Sequence, residues 1–212
     1  NNFFSGELPD CFTNLAQLLS LHLENNRFSG NVPESIGSLQ HLQYLHLHNN
    51  SFSGNIPASL KNCTNLVILN LGYNSFTGFI APWIGDSYSR LGALILRRNR
   101  FHGEIPLTLC RLNNLQILDL AINNITGLIP NCVSNFTAMT SKKNMGIFFG
   151  TLSPSLGRIG IFTEEETAIV SWKREEQIFK GTVRFVKFID LSYNELIRDF
   201  KSHWTSFPGF VK

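Results

Sequence analysis

The sequence predicts an α/β solenoid: a coil of short repeats with a parallel sheet on its concave face, short helical or 3-10 turns on its convex face, and one non-repeat insertion. Three observations predict it. One phrase recurs along the chain, and its anchoring residues Asn2, Asn26, Asn50, Asn74, Asn99 and Asn123 are separated by steps of 24, 24, 24, 25 and 24. A Leu-x-Leu triplet stands a few residues before each anchor from Asn26 onward, and Phe or Ile, Gly and often Ile-Pro follow it. The beat then stops for 71 residues and returns at Asn194.

The full unit is L-x-x-L-x-L-x-x-N-x-F-x-G-x-I-P. It reads Leu42, Leu45, Leu47, Asn50, Phe52, Gly54, Ile56, Pro57, and again Leu115, Leu118, Leu120, Asn123, Ile125, Gly127, Ile129, Pro130. By period and pattern this is a leucine-rich repeat. One unit cannot bury its apolar face alone, so each leucine needs its counterparts in neighbouring units. Taken in order, the strand cores are Leu21-His22-Leu23, Leu45-His46-Leu47, Leu69-Asn70-Leu71, Leu94-Ile95-Leu96 and Leu118-Asp119-Leu120. Alternate residues of each strand point inward. The Asn after each strand carries both donor and acceptor, which suits it to bonding backbone inside the coil. Gly and Pro mark the second bend. Segments such as Glu34-Ser35-Ile36-Gly37-Ser38-Leu39 are expected to be single helical turns. The unit at Asn74 is irregular, with Ala81 in the proline place and Trp83-Ile84-Gly85-Asp86 lengthening its back.

The expected divisions are 1–135, the repeat array with a truncated first unit; 136–183, a non-repeat island; 184–196, a resumed repeat; and 197–212, an aberrant tail. Asn2 to Pro9 is the second half of a repeat, so the chain is expected to begin inside a longer array. Within the island, residues 140–160 are expected to be mobile, and Ile169-Val170-Ser171-Trp172 suits a strand. Non-periodic insertions of this length are commonly functional or disordered.

Net charge is +3 and 16% of residues are charged. Nucleic-acid binding normally asks for a strongly basic face, so nucleic acid is not expected as a partner. No stretch reaches the roughly 18 apolar residues of a spanning helix. Cys11, Cys63, Cys110 and Cys132 all fall on the convex side. Cys110 and Cys132 occupy nearly the same phase of adjacent units, which suits a disulfide in an oxidising compartment. Cys11 and Cys63, two units apart, are expected to be buried free thiols. Sequons at Asn49, Asn62, Asn124 and Asn135 lie at turn or convex positions, where glycan would stay out of the core.

Function on a solenoid usually lies on the concave sheet. The residues beside the leucines are therefore the candidate ligand contacts: His22, Glu24, Arg27, Tyr44, His46, His48, Asn70, Arg97, Arg98, Arg100 and Asp119. The basic set His22, His46, His48, Arg97, Arg98 and Arg100 is expected to dock an acidic or polar surface, and its histidines to give a pH-responsive contact. No metal-ligand spacing accompanies those histidines, so no metal and no cofactor are expected. There is no G-x-S-x-G, H-E-x-x-H or phosphate loop, and no enzyme is expected.

The phrase L-x-x-N-x-F-S-G-x-I-P resembles the plant extracellular subclass of leucine-rich repeats. Leu109-Cys110-Arg111-Leu112-Asn113-Asn114-Leu115-Gln116-Ile117-Leu118-Asp119-Leu120, followed by Ile129-Pro130-Asn131-Cys132, is similar to a passage of plant receptor-like proteins. So is Trp172-Lys173-Arg174-Glu175 leading into Val186-Lys187-Phe188-Ile189-Asp190-Leu191-Ser192-Tyr193-Asn194. The flavour is that of the fungal-xylanase receptor group. The resemblance implies an immune or developmental receptor ectodomain at the plasma membrane, membrane-anchored when intact and without a kinase. It would bind a protein, peptide or glycan ligand and recruit a coreceptor kinase near the island, at Trp172, Lys173 and Glu175. The sequence departs from that family's pattern after Leu196. A secreted inhibitor of the polygalacturonase-inhibitor type, a receptor-kinase ectodomain and a non-functional truncated receptor product are the competing readings.

Overall fold

The computed structural model describes residues 2–140, 167–172, 175–180 and 187–197. The mobile stretch expected at 140–160 falls almost wholly outside the described residues, as do Lys173 and the tail from Arg198. In chain order the strands of the coil are β1 (Ser5–Glu7), β2 (Ser20–His22), β3 (Arg27–Asn31), β4 (Tyr44–His46), β5 (Ser51–Gly54), β6 (Ile68–Asn70), β7 (Ser75–Phe76), β8 (Ala93–Ile95), β9 (His102–Glu104), β10 (Ile117–Asp119) and β11 (Asn124–Leu128). Beyond the array come β12 (Thr167–Trp172), β13 (Glu175–Lys180), β14 (Phe188–Asp190) and β15 (Glu195–Ile197).

The Leu-x-Leu triplets form the concave sheet, ordered β14-β10-β8-β6-β4-β2 and parallel throughout. The middle residues align from strand to strand: Leu21 with Leu45, Leu45 with Leu69, Leu69 with Leu94, Leu94 with Leu118, and Leu118 with Ile189. Leu45, Leu69, Leu94 and Leu118 have no exposed surface. Each such side chain contributes about 1.5–3 kcal/mol by leaving water.

Each anchor asparagine from Asn26 onward bonds its own unit and the one before it. Asn50 Nδ2 donates to Leu47 O at 3.1 Å and Leu23 O at 2.9 Å, while its Oδ1 accepts the Phe28 N–H at 3.0 Å. Asn74, Asn99 and Asn123 repeat this pattern. The residue before each anchor takes the left-handed conformation, with φ between 53° and 57° at Asn25, Asn49, Tyr73, Arg98, Ile122 and Tyr193. That turn frees the carbonyls the asparagine collects.

Beyond the anchors run the lateral strands. Their phenylalanines stack as a column: Phe4, Phe28, Phe52, Phe76 and Phe101, with ring centroids 6.0–6.3 Å apart. The lateral ladder is divided into β1-β3-β5-β7 and β9-β11-β15, joined by a bridge from Phe79 to His102 and by the Arg100 and His102 N–H groups, which donate to Phe76 O at 2.8 Å and Gly78 O at 3.0 Å. The division falls in the irregular unit, where the step is 25 instead of 24.

The convex segments are 3-10 turns at Phe12–Leu15, Glu34–Ser38, Ala58–Asn62, Leu107–Arg111 and Asn131–Asn135. In the irregular unit the turn is instead a short α-helix, α1 (Trp83–Ser87), and Tyr88 closes it by donating to Leu60 O at 2.8 Å. Cys110 and Cys132 form a disulfide between adjacent convex turns, with Cα atoms 5.6 Å apart. Cys63 is buried and free, its Sγ 3.4 Å from Ile36 O. Cys11 departs from the expectation: it is exposed at the start of its turn, whereas the buried Cys63 directly follows its own.

After the interruption, β14 pairs with β10 as the next unit would. Asn194 donates to Leu120 O at 2.9 Å and accepts the Ile125 N–H at 3.0 Å. Between Asn123 and Asn194, β12 and β13 form an antiparallel pair in which Ile169 is in register with Ile178 and Trp172 with Glu175.

Candidate functional site

Two polar clusters stand on the concave face, with an apolar floor between them. The first belongs to β2 and β4. His22 and His46, register partners, stack with centroids 4.6 Å apart at 7°. His48 meets His46 edge-on at 6.1 Å, and Glu24 Oε1 lies 3.4 Å from His22 Nδ1. Burial alone would raise the Glu24 carboxyl, but the hydrogen bond from His22 and the charge of the imidazoles hold it below the usual range. His46 is driven the other way. Burial, with the neighbouring imidazoles of His22 and His48, pushes it down to about 3 against the pull of Glu24, so it is neutral at ordinary pH. Burial also lowers His48. His46 Nε2 and His48 Nδ1 are enclosed with no hydrogen-bond partner.

The floor comes from Ile68, Ala93, Ile95 and Ile117, with Tyr44 and Phe188 at its margins. Asn70 sits within it and turns its Oδ1 to the Gly72 N–H at 3.2 Å.

The second cluster joins three units. Arg97 Nη1 lies 2.8 Å from Asp190 Oδ2 and 3.6 Å from Asp119 Oδ1. Asp119 has no exposed side-chain surface, and burial raises its carboxyl to about 7 although Arg97 opposes the rise. The sequence offers Arg97 as a free cation beside Arg98 and Arg100, and the structure corrects that. Arg97 is 4% exposed with its charge met by two carboxylates. Arg98 is exposed at a left-handed turn over the Tyr73 ring, and Arg100 is exposed at the start of the lateral segment. One turn of chain divides the three among different faces.

The remaining candidates are also distributed by this geometry. His22 and Arg27 are exposed, the latter over the Phe3 ring, while Glu24 and Tyr44 are half-buried. His46, His48, Asn70 and Asp119 are buried where an open contact face was expected, because each is flanked by side chains of the same concave rows. Asp190 was not a candidate. Its signal was present, since Ile189-Asp190-Leu191 repeats the pattern of Leu118-Asp119-Leu120. Of the sequons, Asn49, Asn62 and Asn124 are exposed, and Asn135 closes a 3-10 turn. Among the described residues no group of three or more His, Cys, Asp or Glu is arranged to hold a metal ion, and no helix is long and apolar enough to cross a membrane.

The Leucine Rich Repeat family model matches residues 17–39, 41–63, 65–87 and 114–136. No curated protein matches the chain. Among solved structures it is similar to the ectodomain of the plant membrane receptor kinase GASSHO1/SCHENGEN3 from Arabidopsis thaliana, solved in complex with CASPARIAN STRIP INTEGRITY FACTOR 2. Identity there is 38% and the TM-score 0.63, over 65% of this chain and 16% of that one. It is likewise similar to the Arabidopsis receptor kinase HAESA in complex with the peptide hormone IDA and the co-receptor SERK1, at 33% identity and TM-score 0.63, over 66% of this chain and 23% of that one. A plant ice-binding protein matches at 30% identity and TM-score 0.57, over 62% of this chain and 42% of that one. The chain thus spans under a quarter of the two receptor ectodomains. It carries leucine-rich repeats and folds as a leucine-rich-repeat solenoid, similar in structure to plant receptor-kinase ectodomains.

Proposed function

We propose that this chain is the ligand-recognising and partner-binding part of the ectodomain of a plant receptor-like protein. It acts at the extracellular side of the plasma membrane, in immune signalling, and resembles the fungal-xylanase receptor group. The observation that carries the reading is the interruption between Asn123 and Asn194, across which β14 takes the next place in the concave sheet. A coil that resumes its register after a long non-repeat segment supports reading that segment as an island. The solved relatives holding a peptide hormone, one of them with a co-receptor, support protein or peptide partners.

In this reading residues 1–135 are the recognising array, 136–183 the island, 184–196 the resumed repeat and 197–212 the tail. The exposed His22, Arg27, Arg98 and Arg100 give the outer contacts, while Glu24, Tyr44, His46, His48, Asn70, Arg97 and Asp119 shape the surface beneath. Trp172, Lys173 and Glu175 contact the coreceptor kinase, and Asn49, Asn62, Asn124 and Asn135 carry glycan. The protein is not an enzyme and needs no cofactor.

The full-length transcript tests the class. A secretory leader upstream with a membrane span and no kinase downstream is the expected result. A kinase domain after the span would overturn it, and a stop codon after the last repeat with no span would favour the secreted inhibitor. The contact face is tested by charge reversal, Arg98→Glu with Arg100→Glu, in the intact ectodomain. Ligand capture is expected to fall at least tenfold, about 1.4 kcal/mol, and unchanged capture removes those residues from the site.

A further inference from the structure

Arg97, Asp119 and Asp190 sit across the seam where the chain rejoins the coil. Asp119 on β10 and Asp190 on β14 are register partners, so their side chains project from the same face of neighbouring strands. Arg97 reaches past β10 from the segment after β8, and bonds the farther carboxylate more closely than the nearer one. The side chains of Arg97, Asp119 and Asp190 are 5%, 0% and 17% exposed. Asp119 Oδ1 accepts the Ala121 N–H at 3.1 Å, and Asp190 Oδ1 accepts the Ser192 N–H at 3.0 Å. Asp119 Oδ2 and Arg97 Nε are enclosed with no hydrogen-bond partner.

One guanidinium therefore faces two carboxylates. With both ionised, the cluster holds an uncompensated negative charge away from water, and like charges in one site disfavour that state. With a proton on Asp119 it is neutral, and Arg97 is left to Asp190. Among the described residues the charged and titratable groups facing Asp119 are Arg97 and Asp190, with Tyr73 beside Arg97. Its neighbour on β8 is Ile95, and Asn70 stands one strand further on, so neither supplies charge.

We propose that Arg97, Asp119 and Asp190 form a proton-operated latch that fastens β14 onto the array while Asp119 is protonated and slackens when Asp119 ionises. The pairing it controls is the only concave-sheet contact of the resumed repeat among the described residues. Loosening it weakens the concave seam of the repeat that follows the island, which β15 on β11 and Asn194 still hold, while leaving β2 to β10 paired. The Asp119 carboxyl is raised by burial, so the folded seam holds its proton where an unfolded chain would have lost it. The change runs through the range from the ordinary aspartate value up to about 7.

Hydrogen exchange on the full chain tests the latch. The seam amides are those of Phe188, Leu120 and Ile122, and the Leu47 amide, bonded to Asn70 O, reports on the middle of the sheet. After correction for intrinsic exchange, seam protection in the wild type is expected to fall on the order of a hundredfold relative to Leu47 between pH 5 and pH 8. Asp119→Asn, a neutral mimic of the protonated acid, is expected to remove that difference. The same pH profile in both proteins, or wild-type protection that rises with pH, would overturn the proposal. Should Asp119→Asn fail to fold, the carboxyl carbon shift of wild-type Asp119 decides. A midpoint well above 4 is expected, and a midpoint in the ordinary aspartate range sinks the latch.

Discussion

At the scale of the residue, the anchor asparagines concentrate the most bonds in the fewest atoms. Asn99 donates to Leu71 O and Leu96 O, each at 3.0 Å, and accepts the Phe76 N–H at 2.9 Å, all out of contact with water. Replacing it leaves buried backbone groups without partners, each costing about 1–3 kcal/mol. Asn99→Ala is expected to destabilise the chain by about 3 kcal/mol or more, read as a shifted urea midpoint, and a loss under about 1 kcal/mol would mean the carbonyls find other donors. Gly54 makes a sharper demand. Its φ is +72°, and a Cβ there would collide with the Asn31 carboxamide lying over it from the previous unit. Gly54→Ala is expected to cost at least the roughly 1–2 kcal/mol of the left-handed conformation alone. Asn and Gly were both readable as scaffold in the sequence because the period fixes their role. Asn31 as the occupant over Gly54 was not, since the repeat leaves that position free to vary.

At the scale of the element, stability comes from columns that cross the units. Phe52 is fully buried between Phe28 and Phe76. Phe52→Ala is expected to cost about 3–5 kcal/mol and to weaken the units on either side equally, which hydrogen exchange along the chain will resolve. The disulfide closes a 22-residue separation between convex turns. Its removal by Cys110→Ser with Cys132→Ser is expected to cost about 3 kcal/mol by the loop-entropy estimate, observable as a matching fall in stability on reduction of the wild type. Strands, turns and this cysteine pairing were legible because each follows from phase within the repeat. The α-helical turn at Trp83–Ser87 was legible only as an irregularity. Tyr88, which caps it, reaches Leu60 O, a contact one unit back that local pattern does not encode.

At the scale of the whole molecule, the two ends of the concave face respond to protons in opposite senses. The folded chain holds His46 near 3, below the ordinary histidine value of 6.5, so the fold disfavours its protonation. That contribution is fully present above 6.5 and is lost as pH falls toward 3. The wild type is therefore expected to lose urea resistance on acidification through this window, and His46→Gln to lose less; parallel pH curves for the two would assign the loss elsewhere. The Asp119 end behaves oppositely, its contribution declining as pH rises from about 4 to about 7. The sequence presented the basic residues of this face as one surface. It hid the division because Arg97 is neutralised from Asp190, 93 positions away, and only the closing of the coil brings them together.

The divided lateral ladder carries one more consequence. The concave sheet runs unbroken from β2 to β14, whereas the lateral strands fall into two ladders, held across the irregular unit by the Phe79–His102 bridge, by the Arg100 and His102 N–H groups on Phe76 O and Gly78 O, and by the Phe76 N–H on Asn99 Oδ1. Opening the outer side there would break these lateral bonds before any pair of the inner sheet. The irregular unit is therefore the expected place for the halves before and after it to change their mutual curvature, at the cost of the bond from the Phe76 N–H to Asn99 Oδ1.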